Sequence, residues 1–195
     1  MKRTAELERE TKETQIRISL NLDGRGQTEI STGIPFFDHM LTLFSVHGFF
    51  DLILDAKGDL DVDFHHTVED VGLIFGQALS ESLGDRVGIK RFGHAVTPMD
   101  DALAAVTVDL SNRPFLVYNT PLPTVSEVGL SPSLAKEFFK SLVNQAGMNL
   151  HINVFYGENE HHVIESIFKA FGRALHEASV YDDRISGVRS SKGVL

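Results

Sequence analysis

Apolar and polar residues alternate from Thr14 to Leu22, with Ile16, Ile18, Leu20 and Leu22 on one side, which predicts a half-buried strand. Asp23-Gly24 supplies a turn, and Gln27 to Ser31 is expected to pair back as the second strand of a hairpin. Gly33-Ile34-Pro35 breaks that pattern. Phe36 to Val46 then takes helical spacing, with Phe37, Met40, Leu41 and Phe44 on one apolar face and Gly48 as the stop. Phe50 to Ala56 alternates as a strand, Lys57 to Asp63 is an acidic loop, and a helix is predicted from His65 to about Leu83, before Gly84. The order then replays. Ala102 to Leu110 is a strand, Ser111 to Pro114 a turn, Phe115 to Asn119 the return strand, and Thr120 to Leu130 a Pro-containing connection. Ser131-Pro132 gives a cap and a first-turn proline to a helix that ends at Gln145 before Gly147. Asn149 to Tyr156 is a strand, Gly157 to Glu160 a turn, and the last helix runs to about Val180.

The replay is an internal duplication. Under a shift of 96 residues Val68 matches Ile164, Val71 matches Ile167, Phe75 matches Phe171, Gly76 matches Gly172 and Leu79 matches Leu175. The hairpins align under a shift of 88, which puts Arg25 opposite Arg113 and Glu13 opposite Asp101. The expected architecture is therefore α+β. Two halves, 1–92 and 93–180, each run strand, strand, helix, strand, helix and pack through their helices as one unit. The tail 181–195 is polar and rich in Gly and Ser, and is expected to be mobile until something binds it.

A chain of 195 residues can bury a substantial core, and a hydrophobic fraction of 42% with 23% charged residues fits an ordinary globular protein. A net charge of −9 without a basic run argues against nucleic acid as the main partner. Zero cysteines exclude disulfides and thiolate metal sites. Met1 to Gln15 has no apolar signal-peptide core and no run of eighteen apolar residues occurs, so we expect a cytoplasmic protein without a membrane span.

The duplication also carries chemistry. His65-His66-Thr67-Val68-Glu69 and His161-His162-Val163-Ile164-Glu165 each open a helix. Positions i and i+4 stack on one helix face, so His65 with Glu69, or His161 with Glu165, can hold one ion, while His66 and His162 point about 100° away, toward another. A single such pentapeptide could equally be solvated polar residues with a carboxylate favouring the helix dipole. Measured back from these motifs, His39 precedes His65 by 26 residues and Glu137 precedes His161 by 24, on equivalent helices. The shell read in this way is His39, His65, His66, Glu69, Glu137, His161, His162 and Glu165, enough for two ions with open positions. Imidazole and carboxylate without thiolate suit Mn, Fe or Zn. His151 rivals Glu137, His47 can cap helix carbonyls, and His94 and His176 read as surface residues.

With these residues assembled, the sequence closely resembles the imidazoleglycerol-phosphate dehydratase family of histidine biosynthesis. The likeness is carried by Arg9 to Glu13, Leu22-Asp23-Gly24 with Gly26, Gly33 to Leu41, both His-His motifs, Phe168 to Leu175, and Ser190 to Leu195. It implies a duplicated fold like domain 2 of ribosomal protein S5, a homo-oligomer that is an octahedral 24-mer of trimers, and two Mn²⁺ ions per active site between subunits. It places metal ligands at the same eight positions and substrate contacts at Glu13, Arg91, Arg113, Ser191 and Lys192. We expect His39, His47, His65 and Glu69 to reach the substrate as well, with Glu13, Glu69 and Glu165 as catalytic carboxylates.

The reaction so implied removes water from imidazole glycerol phosphate to give imidazole acetol phosphate. No carbonyl acidifies the proton that is lost, so the imidazole must serve as the electron reservoir, and two Lewis-acidic ions at its nitrogens would stabilise an imidazolate whose electrons could expel the hydroxyl. Glu13 is the expected base, with Asp100 and Asp101 as alternatives. Arg91 and Arg113 offer planar forks for the phosphate, and Ser191-Lys192 could close over it. The alternatives are a dinuclear metallohydrolase acting on a phosphate ester and a non-enzymatic S5-like binding module.

Overall fold

The computed structural model describes residues 3–120 and 129–195, so most of the Pro-containing connection lies outside the described residues. The first half comprises β1 (Thr4–Glu10), β2 (Thr14–Asn21), β3 (Thr28–Ser31), α1 (Pro35–Gly48), β4 (Asp51–Gly58) and α2 (His65–Leu83). The second comprises β5 (Phe92–Met99), β6 (Ala102–Asp109), β7 (Phe115–Asn119), α3 (Pro132–Ala146), β8 (Asn149–Tyr156) and α4 (Glu160–Ser179). Their sheets have the same order, β1-β2-β4-β3 and β5-β6-β8-β7. The duplicated α+β unit is thus as expected, with one further strand at the head of each half.

Those two strands escaped the sequence pattern for different reasons. In β1 only Ala5 and Leu7 interrupt charged and polar residues, because an edge strand needs few apolar contacts. In β5 the inward residues are Gly93, Ala95 and Thr97, while Phe92, His94 and Val96 face outward. The helix α4 passes so close that a Cβ on Gly93 would lie 2.1 Å from the Ala174 carbonyl oxygen. Small residues therefore face the core and the hydrophobic pattern is inverted.

The hairpin pairing of the sequence reading is corrected. β2 pairs antiparallel with β1 and β4, and β3 lies on the far side of β4, parallel to it. β6, β7 and β8 repeat this arrangement. β4 and β8 bury one face on the helices and pair on both edges, so they take the central place that a local hairpin would otherwise claim.

The helices of both halves form the layer between the sheets, α1 packing on α4 and α2 on α3. Phenylalanines fill it. Phe44 stacks on Phe171 at 5.0 Å and meets Phe75 edge-on at 5.3 Å, while Phe37 meets Phe138 edge-on at 5.2 Å. The matched glycines of the duplication mark the two helix crossings. A Cβ on Gly172 would lie 2.3 Å from the Phe44 carbonyl oxygen, and one on Gly76 would lie 2.4 Å from that of Leu142. Gly48 belongs to the same crossing and stays inside α1, which ends instead at Phe49 in the left-handed region (φ 58°). Because the obstructing atoms are backbone, Gly172→Ala or Gly76→Ala is expected to destabilise by about 2–3 kcal/mol through forced helix separation. Urea unfolding would read this as a lower midpoint.

Candidate metal centre and phosphate pocket

Two helix starts bring the first cluster together. Asn159 caps α4, its side chain accepting the N–H of His161 at 2.9 Å and of His162 at 3.3 Å. Asp38 in the first turn of α1 accepts the N–H and hydroxyl of Thr32 at 2.9 and 2.5 Å, fixing the chain one residue before His39. His39 Nε2 then lies 3.5 Å, and His161 Nε2 3.1 Å, from Glu165 Oε2. The ligand atoms of all three groups fall within 4.8 Å of one another, and Phe36 packs edge-on against His161 at 4.9 Å. Glu165 is buried, and its other oxygen accepts from Lys169 Nζ at 2.5 Å. Burial pushes the Glu165 carboxyl up, but the bond and charge of Lys169, with bonds to His161 and His39, hold it below the ordinary value and ionised.

The equivalent groups of the other helix pair stand further apart. His65 Nε2 is 3.5 Å from Glu69 Oε2 on α2, while Glu137 on α3 accepts from Lys140 Nζ at 3.0 Å. His65 and Leu134 line one cavity of about 530 Å³, which sets the start of α3 beside it. Among the described residues His39, His161 and Glu165 are the one set of three or more histidine or carboxylate groups whose ligand atoms all lie within 4.8 Å of one another.

The second histidines turn toward carboxylates. His66 Nδ1 is 3.0 Å from Asp59 Oδ2 and 3.8 Å from Glu13 Oε2. His162 Nδ1 is 2.5 Å from Asp101 Oδ1, and its Nε2 is 3.6 Å from Asp100 Oδ2. Glu13 and Asp101, aligned by the duplication, thus each face the second histidine of their half. Hydrogen bonds donated to the carboxylates of Asp59 and Asp101 raise these two imidazoles above the usual histidine value. His47 lies in the last turn of α1, where burial first, and then the charges of Lys169 and Arg173, push its ring down and keep it neutral. His151 points outward from β8, 6.5 Å from Phe115 and away from the helices, because Leu150 and Ile152 take the inner face. Lys169 and Asp59 were missed by sequence reasoning. Lys169 follows Glu165 by four residues and was legible as an ion-pair spacing. Asp59 lies in an irregular loop that carries no such signal.

The four predicted phosphate contacts do come together. Arg91, Arg113, Ser191 and Lys192 line one cavity of about 320 Å³ with Ser111 and Ser190. Arg91 adopts φ 71°, a conformation held by its N–H on the Ala178 carbonyl at 2.8 Å. Its Nε and Nη2 bind Asp109 at 2.7 and 3.1 Å, and its Nη1 binds the Arg189 carbonyl at 2.7 Å. The tail runs alongside, Gly88 donating to the Gly187 carbonyl at 2.9 Å and Arg189 to that of Lys90 at 3.0 Å. Asn149 Nδ2 fixes the opposite turn through the Arg113 carbonyl at 2.6 Å, and the Arg113 guanidinium has no ion-pair partner among the described residues.

The cavity and the first metal cluster lie at opposite ends of the second half. His162 touches Asp101 at the start of β6, and Arg91 touches Asp109 at its end. At roughly 3.3 Å per residue that strand spans about 26 Å. α4 gives the same answer, since His162 and Ala178 are separated by about 24 Å at 1.5 Å per residue.

Comparison with known proteins identifies relatives in sequence and in fold. The family model for imidazoleglycerol-phosphate dehydratase matches residues 32–175. A protein of that name from Desulfosudis oleivorans is 60% identical over 195 residues, covering 100% of both chains, and one from Geobacter sulfurreducens is 55% identical with the same coverage. The crystal structure of the Staphylococcus aureus imidazoleglycerol-phosphate dehydratase aligns with a TM-score of 0.83 at 38% identity, covering 92% of this chain and 99% of that one. The Pyrococcus furiosus enzyme, solved in complex with (S)-C348, gives a TM-score of 0.85 at 39% identity, covering 97% and 100%.

Proposed function

Because the chain belongs to the imidazoleglycerol-phosphate dehydratase family, and so is a hydro-lyase of histidine biosynthesis, we propose that it works through a metal site shared between copies of itself. The metallohydrolase and binding-module readings fall with that membership. The observation that carries the proposal is the convergence of His39, His161 and Glu165 from two helices, a thiolate-free donor set that fits Mn²⁺. His65, His66, Glu69, Glu137 and His162 would complete the shell for two ions. Bound there, the metal supplies Lewis acidity to the substrate imidazole.

The remaining steps fall to side chains. In imidazole glycerol phosphate the hydroxyl leaves from the carbon next to the ring, and the proton leaves from the neighbouring carbon. Glu13, exposed in the β1–β2 turn and 3.8 Å from His66, is free to take that proton. Glu165, kept ionised by Lys169, and Glu69 are the other catalytic carboxylates. His39, His47 and His65 line the approach to the ring. Arg91, Arg113, Ser191 and Lys192 hold the phosphate.

The substrate is roughly 9 Å long by its covalent bond lengths, far short of the separation across β6 and α4. One chain therefore cannot offer its own phosphate cavity to its own first cluster, and a second copy must bring one to the other. The octahedral 24-mer of trimers is the assembly we propose, located in the cytoplasm. No described helix is long and apolar enough to cross a membrane.

Metal removal tests the site. Chelated protein is expected to lose turnover of imidazole glycerol phosphate and to regain it with Mn²⁺, together with the assembled state in gel filtration. Full turnover by metal-free protein would dismiss the metal reading.

A further inference from the structure

Asp101 and Asp59 occupy the same relation to the two second histidines, although they come from different loops. Asp101 sits in the β5–β6 turn. Its Oδ2 accepts the N–H groups of Glu158 and Asn159 at 2.7 and 3.0 Å, which leaves Oδ1 for His162 Nδ1 at 2.5 Å. Asp59, just after β4, meets His66 Nδ1 with both oxygens, at 3.2 and 3.0 Å. The other carboxylates near these rings are more distant. Asp100 lies 3.6 Å from His162 Nε2 and Glu13 lies 3.8 Å from His66 Nδ1, both beyond hydrogen-bond reach.

An ionised carboxylate can only accept. Each Nδ1 must therefore carry a proton, and in the neutral ring the lone pair is left on Nε2. We propose that Asp101 and Asp59 are positioning residues which hold His162 and His66 in the Nδ1–H tautomer, so that Nε2 is the atom offered to a metal ion. The inference rests on the metal reading above and adds the outer groups that select the coordinating nitrogen. It also separates Asp101 from the role of general base, because both of its oxygens are already engaged.

Asparagine makes the test sharp, since it keeps size and shape but replaces one acceptor with a donor. In Asp101→Asn the amide oxygen can still accept from Glu158 and Asn159, while the NH₂ faces His162 Nδ1. That nitrogen must then accept, and the proton moves to Nε2, where it blocks coordination. Titration with Mn²⁺ alone, followed by EPR of the free ion, is expected to show affinity lowered roughly 10- to 100-fold in Asp101→Asn and in Asp59→Asn. Pulsed EPR of the bound ion is expected to show one fewer imidazole nitrogen coupled to it. The melting temperature of the metal-free protein should move by only a few degrees, as a change that leaves the fold intact requires. Among the described residues the Asp59 carboxylate accepts from no backbone N–H, unlike that of Asp101, so its variant stays informative if Asp101→Asn unfolds. Wild-type protein that binds no Mn²⁺ would end the metal reading itself. Wild-type protein that binds, alongside an Asp59→Asn variant of equal affinity and equal imidazole coupling, would overturn the positioning role.

Discussion

Replacing Glu165 with Gln is expected to lower turnover by roughly 10³-fold, the largest effect of any single substitution here. The side chain keeps its size, so the helix crossing beneath it is not disturbed. What disappears is the one buried negative charge on which His39, His161 and Lys169 converge. Lys169, about one-sixth exposed, would be left without its counter-charge, and a site without a carboxylate that faces an ammonium group repels a cation. Metal content and turnover should therefore fall together. A variant that kept its Mn²⁺ and lost only turnover would make Glu165 a catalytic group alone. One that kept both would remove it from the site.

Arg113→Ala is expected to raise KM by about two orders of magnitude, with a smaller change in kcat, because a phosphate remote from the reacting carbons is bound alike in ground and transition states. Arg113 is the freer of the two cavity arginines, since Arg91 is already committed to Asp109 and the Arg189 carbonyl. The two variants together test whether the site is shared. A chain carrying Glu165→Gln still has a sound phosphate cavity, and a chain carrying Arg113→Ala still has a sound metal cluster. Co-assembled in equal amounts, they should form good sites in about a quarter of positions, if each site draws the two parts from different copies. At substrate far below the raised KM, where both parents are nearly silent, a mixture no more active than the average of its parents would mean that both parts come from one chain, against the separation along β6 and α4.

What a reader of the sequence could find was set by local geometry. The helices and most strands follow from periodicities of 3.6 and 2, and four-residue spacing sets His161 over Glu165 whatever surrounds them. The duplication exposed Glu13 and Asp101 as equivalents, and it pointed to Gly76 and Gly172 before their purpose was visible. The family likeness implied Arg91, Arg113, Ser191 and Lys192 as substrate contacts although they lie far apart in the chain. All four line one cavity.

Only the tertiary structure decided who meets whom. β3 and β7 pair with β4 and β8 because strand partners are chosen by burial across the whole sheet, not by the nearest turn. β5 was hidden because the close passage of α4 demands small residues where the pattern looks for large ones. The same non-local packing put the two histidine–carboxylate sets on separate helix pairs, turned His66 and His162 toward Asp59 and Asp101, and set the cavity of Arg91 and Arg113 at the far end of β6. Spacing along a chain fixes angles within one element. Distances between elements depend on how cores and crossings fill space, and that information is spread over every residue that packs there.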